Sequence, residues 1–387
     1  MTQFENIPAA EAAQIADTVK LTLARLDTRY PGASPCRRGV HPKDHGAVTA
    51  KFKILDGLAP ELRVGLFANP GQQFDALIRF SNADVNHDKP DSSVSGATIV
   101  HGSRGMAVKV LGVSGTALMP TKGPLTQDFL MINQPVFAFA NVEDYEALSK
   151  VLLAMNDVAD GFFQRLGDPD PNVRARANTT LGIVKRIQSN TTTMAPPASV
   201  PYYQPPPACP VDNRYFSAAA FLFGPDRAAK FSAKPVPYPS APGTPNCSDP
   251  NYLRMGLKNR MAAGGDGGKD IVFEFQAQVR GADSLTGKID SDVENVCTEW
   301  DETLYPFRTV ATITIPPQDI DSPERQALCE DLVYSPWNGL AEHQPIGGIN
   351  RLRKDVYIAS SQLRHAQPTP TFIRCPVMKP AKDSDAG

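Results

Sequence analysis

Tryptophan and cysteine are scarce in this chain: two and six among 387 residues. The cysteines (Cys36, Cys209, Cys247, Cys297, Cys329, Cys375) are widely spaced and form no Cys-x-x-Cys pair. Zinc and dithiol motifs are therefore not expected, and the pattern suits a reducing cytoplasm. An excess of charge of either sign is also missing. Lys and Arg total 39 against 41 Asp and Glu, a net charge of −2, so no basic footprint for nucleic acid is expected. No run approaches the ~20 apolar residues of a membrane span. No basic stretch followed by an apolar one suggests a leader, and no internal repeat is visible. Proline and glycine, by contrast, number 36 and 28, which implies turn-rich connections.

Periodicity gives the elements. Glu11 to Tyr30 reads as an amphipathic helix, with Ile15, Val19, Leu23, Leu26 and Tyr30 on one stripe. It is expected to pack on the main domain or on a second subunit. Ala47–Leu55, Phe74–Phe80 and Gly105–Leu111 read as strands. Ser81–Ser103 between them is polar and reads as a long loop. Gln127–Phe139 is strand-like but interrupted at Asn133-Gln-Pro135, where a bend is expected. Val142–Met155 and Pro171–Ile187 read as helices. Met194–Pro210, with Pro205-Pro-Pro207, is expected to be extended. Arg214–Phe223, Asp270–Val279 and Phe307–Ile315 read as strands, Pro235–Asn251 as a loop, and Ser322–Leu332 and Arg351–Leu363 as helices. About eight strands, with helices in blocks rather than alternating with them, argue for an α+β fold or a barrel with appended helices.

The stretch Ile349–His365 carries the first chemical signal. If it is helical, Arg353 and Tyr357 lie one turn apart on one face. A phenol beside a guanidinium ionises more readily. A tyrosinate is a hard anionic donor suited to ferric iron, and Tyr is one of the axial ligands of protein haem. The alternative is an ordinary amphipathic helix with a surface Arg–Tyr contact.

Four further stretches narrow this choice. They are Cys36-Arg-Arg-Gly-Val-His-Pro-Lys-Asp-His45, Ile78-Arg-Phe-Ser81, Ser103-Arg-Gly-Met-Ala-Val-Lys109 and Phe129-Leu-Met-Ile-Asn-Gln-Pro-Val-Phe137. Together with Arg353-x-x-x-Tyr357, and in this order, they resemble the haem catalase family, in its small, catalase-related branch. The resemblance runs from Pro35 to His365. It implies an antiparallel eight-stranded β-barrel with appended helices and a haem b cofactor. It also implies an N-terminal helical arm (1–34), a haem-binding domain (35–366) and a C-terminal tail (367–387).

The same resemblance implies roles. His41 would be the distal proton shuttle; otherwise it is a loop histidine before Pro42. Ser81 would hold that imidazole; otherwise it is a strand-end residue. Asn133 would be the distal amide, although this chain has Asn-Gln-Pro where the family has Asn-Asn-Thr-Pro. Arg38 and Arg79 match the arginines of the haem propionates, and Arg364 is a further candidate. Arg104 is expected to be structural. Phe137 would be a distal wall or plain core. Tyr145 falls where the family stacks a Phe on the haem. Tyr357 would bind the iron, with Arg353 beside it. His45, His87, His101, His343 and His365 have no motif and are expected at the surface. The implied substrate is a small-molecule peroxide and the implied activity a catalase or peroxidase reaction. Alternatives are a hydroperoxide-rearranging enzyme like the catalase-related allene oxide synthases and a non-enzymatic haem-binding protein. Those synthases carry Thr before the distal His, where this chain has Val40. The N-terminal helix makes a homo-oligomer the expectation.

Overall fold

The computed structural model describes residues 2–32, 37–83, 90–95, 98–120, 123–188, 207–237, 246–262, 268–281 and 290–365. Cys36, His87, Cys375, most of the proline-rich stretch (up to 206) and the tail 367–387 lie outside the described residues. In chain order the strands are β1 (Asp44–Ile54), β2 (Gln73–Asn82), β3 (Ser92–Ser95), β4 (Thr98–His101), β5 (Arg104–Leu111), β6 (Thr126–Ile132), β7 (Tyr215–Phe216), β8 (Phe221–Leu222), β9 (Arg227–Pro235), β10 (Ile271–Gly281) and β11 (Phe307–Ile315). The helices are α1 (Glu11–Arg29), α2 (Val142–Ala154), α3 (Pro171–Gln188), α4 (Tyr252–Met261), α5 (Pro323–Asp331) and α6 (Gly348–His365).

Eight strands close on themselves in the order β1, β2, β5, β6, β7, β9, β10, β11, every pairing antiparallel. The expected α+β fold with a closed eight-stranded barrel is thus present. A barrel of this strand number has a lumen that side chains can fill. Here phenylalanines fill it: the Phe129 ring lies 4.7 Å from Phe275 and 4.9 Å from Phe231, and Phe52 lies 5.1 Å from Phe275. A ligand site must therefore be sought on the outer wall.

Strand alternation decides what that wall carries. On β2, Phe74, Ala76, Ile78 and Phe80 join the lumen core, and on β5 so do Met106, Val108 and Val110. The residues between them, Leu77, Arg79 and Ser81 on β2 and Gly105, Ala107 and Lys109 on β5, take the opposite face. In register, Arg79 pairs with Ala107 and Ser81 with Gly105. Helices cover this wall. Cys329, Leu332 and Tyr334, at and after the end of α5, pack on Ala47 and Leu77. Ile15 of α1, Val142 of α2, and Ile349 and Leu352 of α6 form one further cluster. The N-terminus of α6 is fixed by charge. Arg351 bonds Glu5 (2.5 Å), Glu11 (2.6 Å) and Glu294 (2.9 Å), and Glu294 also accepts from Gly348 N at 2.7 Å. Among the described residues no helix is long and apolar enough to cross a membrane.

Several expectations need correction. The Ser81–Ser103 loop contains the β3–β4 hairpin. The strand-like stretch Gln127–Phe139 ends at Ile132, directly before the Asn133-Gln-Pro135 interruption where a bend or an end is expected, and so needs no correction. The single strand read at Arg214–Phe223 is two short ones, with Ala218 between them at φ +58°. His45 and His343, expected at the surface, are fully buried. His45 Nε2 pairs with Asn82 Oδ1 at 2.9 Å. The register shifts between Asp44 and Gly46, so His45 is the extra residue of a bulge and turns inward. His343 Nε2 accepts from Leu66 N at 3.1 Å, and its ring stands edge-on to Phe67. Burial holds both imidazoles at about 4 rather than the ordinary 6.5.

This has a consequence for stability. The unfolded chain binds these protons more readily than the folded one. The contribution is therefore fully present above pH 6.5 and is lost as pH falls toward 4. Between pH 7 and pH 5 each such histidine is expected to cost about 2 kcal/mol. His343→Gln keeps an acceptor for Leu66 N, and urea unfolding should show about that much of the acid loss removed. An unchanged pH slope in the variant would show that His343 is not the group responsible.

Candidate functional site

His41 lies in the segment leading into β1, at φ +52°, a conformation non-glycine residues rarely adopt. Its ring is fixed from the barrel wall. Nδ1 lies 3.0 Å from Ser81 Oγ. The ring faces Gly105 so closely that a Cβ there would lie 2.4 Å from Nδ1 and 2.5 Å from Cε1. Gly105 belongs to the Ser103–Lys109 motif but has no role assigned by it. The available signal was a glycine inside a strand, which often marks close approach of another group. The peptide is held too: Arg79 Nη1 donates to the His41 carbonyl at 3.0 Å and Nη2 to the Pro42 carbonyl at 3.3 Å. Burial, then the charges of Arg79, Arg353 and Arg38, push the imidazole down to about 3. The ring is accordingly neutral at physiological pH.

Asn133 directly follows β6. Its Oδ1 accepts from Arg104 N (2.8 Å) and Ser103 Oγ (3.0 Å), and its own N–H bonds the Arg104 carbonyl. The side-chain amide plane is thereby fixed against the start of β5. Arg104 is fully buried and donates to the Asp91 carbonyl at 2.6 Å, the structural place expected of it.

Arg38 and Arg79, whose charges reach His41, adjoin one another, and Arg364 adjoins Arg38. Arg38 donates to the carbonyls of Cys329 (3.1 Å) and Leu332 (2.6 Å) at the end of α5, and lies 3.4 Å from Glu330. Arg364 donates to the Glu330 carbonyl. Burial and then the charges of Arg79 and Arg364 lower Arg38 to about 9. Arg79 is 3% exposed, and its buried Nε meets no hydrogen-bond partner among the described residues. Such a cluster favours an anion that can accept from several guanidinium groups.

The helix α6 supplies the other wall. The Arg353 guanidinium lies 5.5 Å from the Tyr357 ring centre and 5.6 Å from that of Phe137. Its Nη1 donates to Asn350 Oδ1 at 3.0 Å. Asn350, which the motif leaves without a role, is fully buried and donates to the carbonyls of Ala220 and Ile346. Its position three residues before Arg353 on one helix face was the available signal. Phe137 packs against the cluster that joins Ile15, Val142, Ala219, Val296, Ile349 and Leu352. Tyr145 is raised above the ordinary phenol range by burial, against which the charge of Arg353 acts.

The donor set can be tested against haem. Among the described residues no three His, Cys, Asp or Glu side chains converge on a metal position. A lone phenolate such as Tyr357 suffices only where a macrocycle supplies the remaining donors. The buried arginine cluster matches the carboxylates such a macrocycle carries. A phenol on α6 and buried arginines near the barrel wall are of the donor types that haem would require.

No protein-family model matches the chain, and no curated protein matches it. Solved structures do. A fungal catalase aligns with a TM-score of 0.62 at 15% identity, over 86% of this chain and 59% of that one. Catalase A from Saccharomyces cerevisiae gives 0.61 at 16% identity, over 85% and 61%. A bacterial catalase gives 0.57 at 15%, over 85% and 57%. The chain has the catalase fold and spans about three fifths of the length of these proteins.

Proposed function

We propose that this protein binds haem b and uses it to break down peroxides, hydrogen peroxide or organic hydroperoxides. The observation that carries the reading is the His41 imidazole, fixed between Ser81 and Gly105 and reached by the charges of Arg79 on β2, Arg353 on α6 and Arg38 on its own segment. A fold shared with catalases supports it, but a fold does not fix an activity.

When bound, haem supplies the iron at which the peroxide O–O bond is cleaved. The chain's own groups do the rest. With Nδ1–H donating to Ser81 Oγ, His41 Nε2 carries the lone pair that takes a proton from one peroxide oxygen and returns it to the other. Asn133 orients the peroxide without titrating. Arg38, Arg79 and Arg364 hold the propionates, and Arg353 compensates the charge of a Tyr357 phenolate.

The test is an absorbance spectrum of haem-loaded protein, then steady-state rates with hydrogen peroxide and with a fatty-acid hydroperoxide. A high-spin ferric spectrum and consumption of at least one peroxide well above free haem are expected. Stoichiometric haem with no peroxide consumption would leave a haem-binding protein instead. A rearranged rather than reduced product would move the reading to the synthases.

A further inference from the structure

The end of α1 meets the segment that carries His41. Arg25 and Arg29, four residues apart, share one helix face. Arg25 Nη2 donates to the Gly39 carbonyl at 3.0 Å and Arg29 Nη1 to the same oxygen at 2.9 Å. Tyr30 Oη donates to the Arg38 carbonyl at 3.3 Å. Leu26 closes the remaining space: a Cβ at Gly39 would lie 3.1 Å from its Cδ2.

Two guanidinium groups on one carbonyl repel each other, and Asp157 offsets this. Its Oδ1 lies 3.0 Å from Arg25 Nε, and its Oδ2 accepts from Arg29 Nε at 2.8 Å. Asp157 reaches them through a strained turn after α2. Asn156 and Asp157 lie at φ +49° and +68°, and Asp157 N bonds the Leu152 carbonyl. His41, on the other side of the two arginines, is also in the left-handed region. Non-glycine residues hold such a conformation only where their surroundings over-determine it.

We propose that Arg25, Arg29 and Asp157 are positioning residues for His41. Their charge-assisted bonds clamp the Gly39 peptide, while Arg79 holds the carbonyls of His41 and Pro42. Between these anchors His41 keeps its left-handed backbone and its ring on Ser81. The inference rests on the reading of His41 as the proton-moving group.

Hydrogen–deuterium exchange on the full chain without haem tests the clamp independently of peroxide chemistry. In Arg25→Met/Arg29→Met, the amides of Gly39, Val40, His41 and Lys43 are expected to exchange at least ~10-fold faster, with the β2 and β5 amides unchanged. In the haem-loaded variant the Soret band should keep its position while the rate with hydrogen peroxide falls at least ~10-fold. Arg25→Met/Arg29→Lys, which restores one charged donor, should recover much of both. Unchanged exchange at residues 39–43 would overturn the proposal. If the double variant does not fold, Asp157→Asn, which removes only the compensating charge, is read by the same exchange and the same criterion. Faster exchange with no turnover in any variant would support the clamp and count against the peroxide reading alone.

Discussion

Replacing His41 by alanine is expected to leave haem bound, with its ferric spectrum intact, while the reaction with hydrogen peroxide slows by roughly 10²–10⁴-fold. That corresponds to roughly 3–5 kcal/mol of barrier at about 1.36 kcal/mol per decade. The separation of the two effects follows from the geometry. His41 belongs to the segment before β1 and to its contacts with Ser81 and Gly105, whereas the candidate iron ligand belongs to α6. Gly105→Ala tests the same point sterically, since its Cβ would displace the ring. The pH profile adds a further check. Burial and the charges of Arg79, Arg353 and Arg38 hold the imidazole near 3, so the base stays deprotonated well below the usual histidine range. The rate should stay level from about pH 8 down to about pH 5 instead of falling below 6.5. Stopped-flow mixing with excess peroxide measures both. A wild-type rate in the alanine variant would remove His41 from the mechanism and favour a haem carrier.

The parts of this fold that were legible in the sequence are those where one face is covered and the other is not. On β2, alternation separates Ile78 and Phe80 from Arg79 and Ser81, and the structure keeps that separation. Helices with a single apolar stripe, α1 and α2, were legible for the same reason. β9 was not. From Ala228 to Ala233 every residue is buried, lysine and serine included, so no period of two survives. α4 was hidden by Gly256, which reads as a breaker. It packs so closely that a Cβ there would lie 2.2 Å from the Ala208 carbonyl oxygen.

The site divides along a similar line. Motif order named His41, Ser81, Arg79 and Arg353, and the structure brings the last three within electrostatic or hydrogen-bonding reach of the His41 imidazole. What no motif contained is how these groups are anchored. Arg38 and Arg364 meet on the last carbonyls of α5, a helix far from Arg38 in sequence. The Gly39 carbonyl is held from α1 and, through Asp157, from the end of α2. Anchoring of this kind depends on tertiary register, which neither composition nor local spacing encodes.

Tyr357→Phe is expected to have the second large effect, on haem itself. The substitution removes one oxygen and keeps the ring, so the stacking of Arg353 at 5.5 Å and the packing of α6 should survive. Tyr357 is only partly buried, and folding stability should change by no more than about 0.5–1 kcal/mol. The haem retained after gel filtration, by contrast, should fall from about one equivalent to a small fraction. Arg353→Ala gives the graded control. It removes the bond to Asn350 and the contacts with Phe137 and Tyr357 but leaves the phenol oxygen in place. Retention should weaken less than in Tyr357→Phe. Pyridine haemochrome assay of both variants after reconstitution measures the ratio directly. Stoichiometric haem with an unchanged spectrum in Tyr357→Phe would place the iron ligand elsewhere and leave the Arg353–Tyr357 pair as a packing feature of α6.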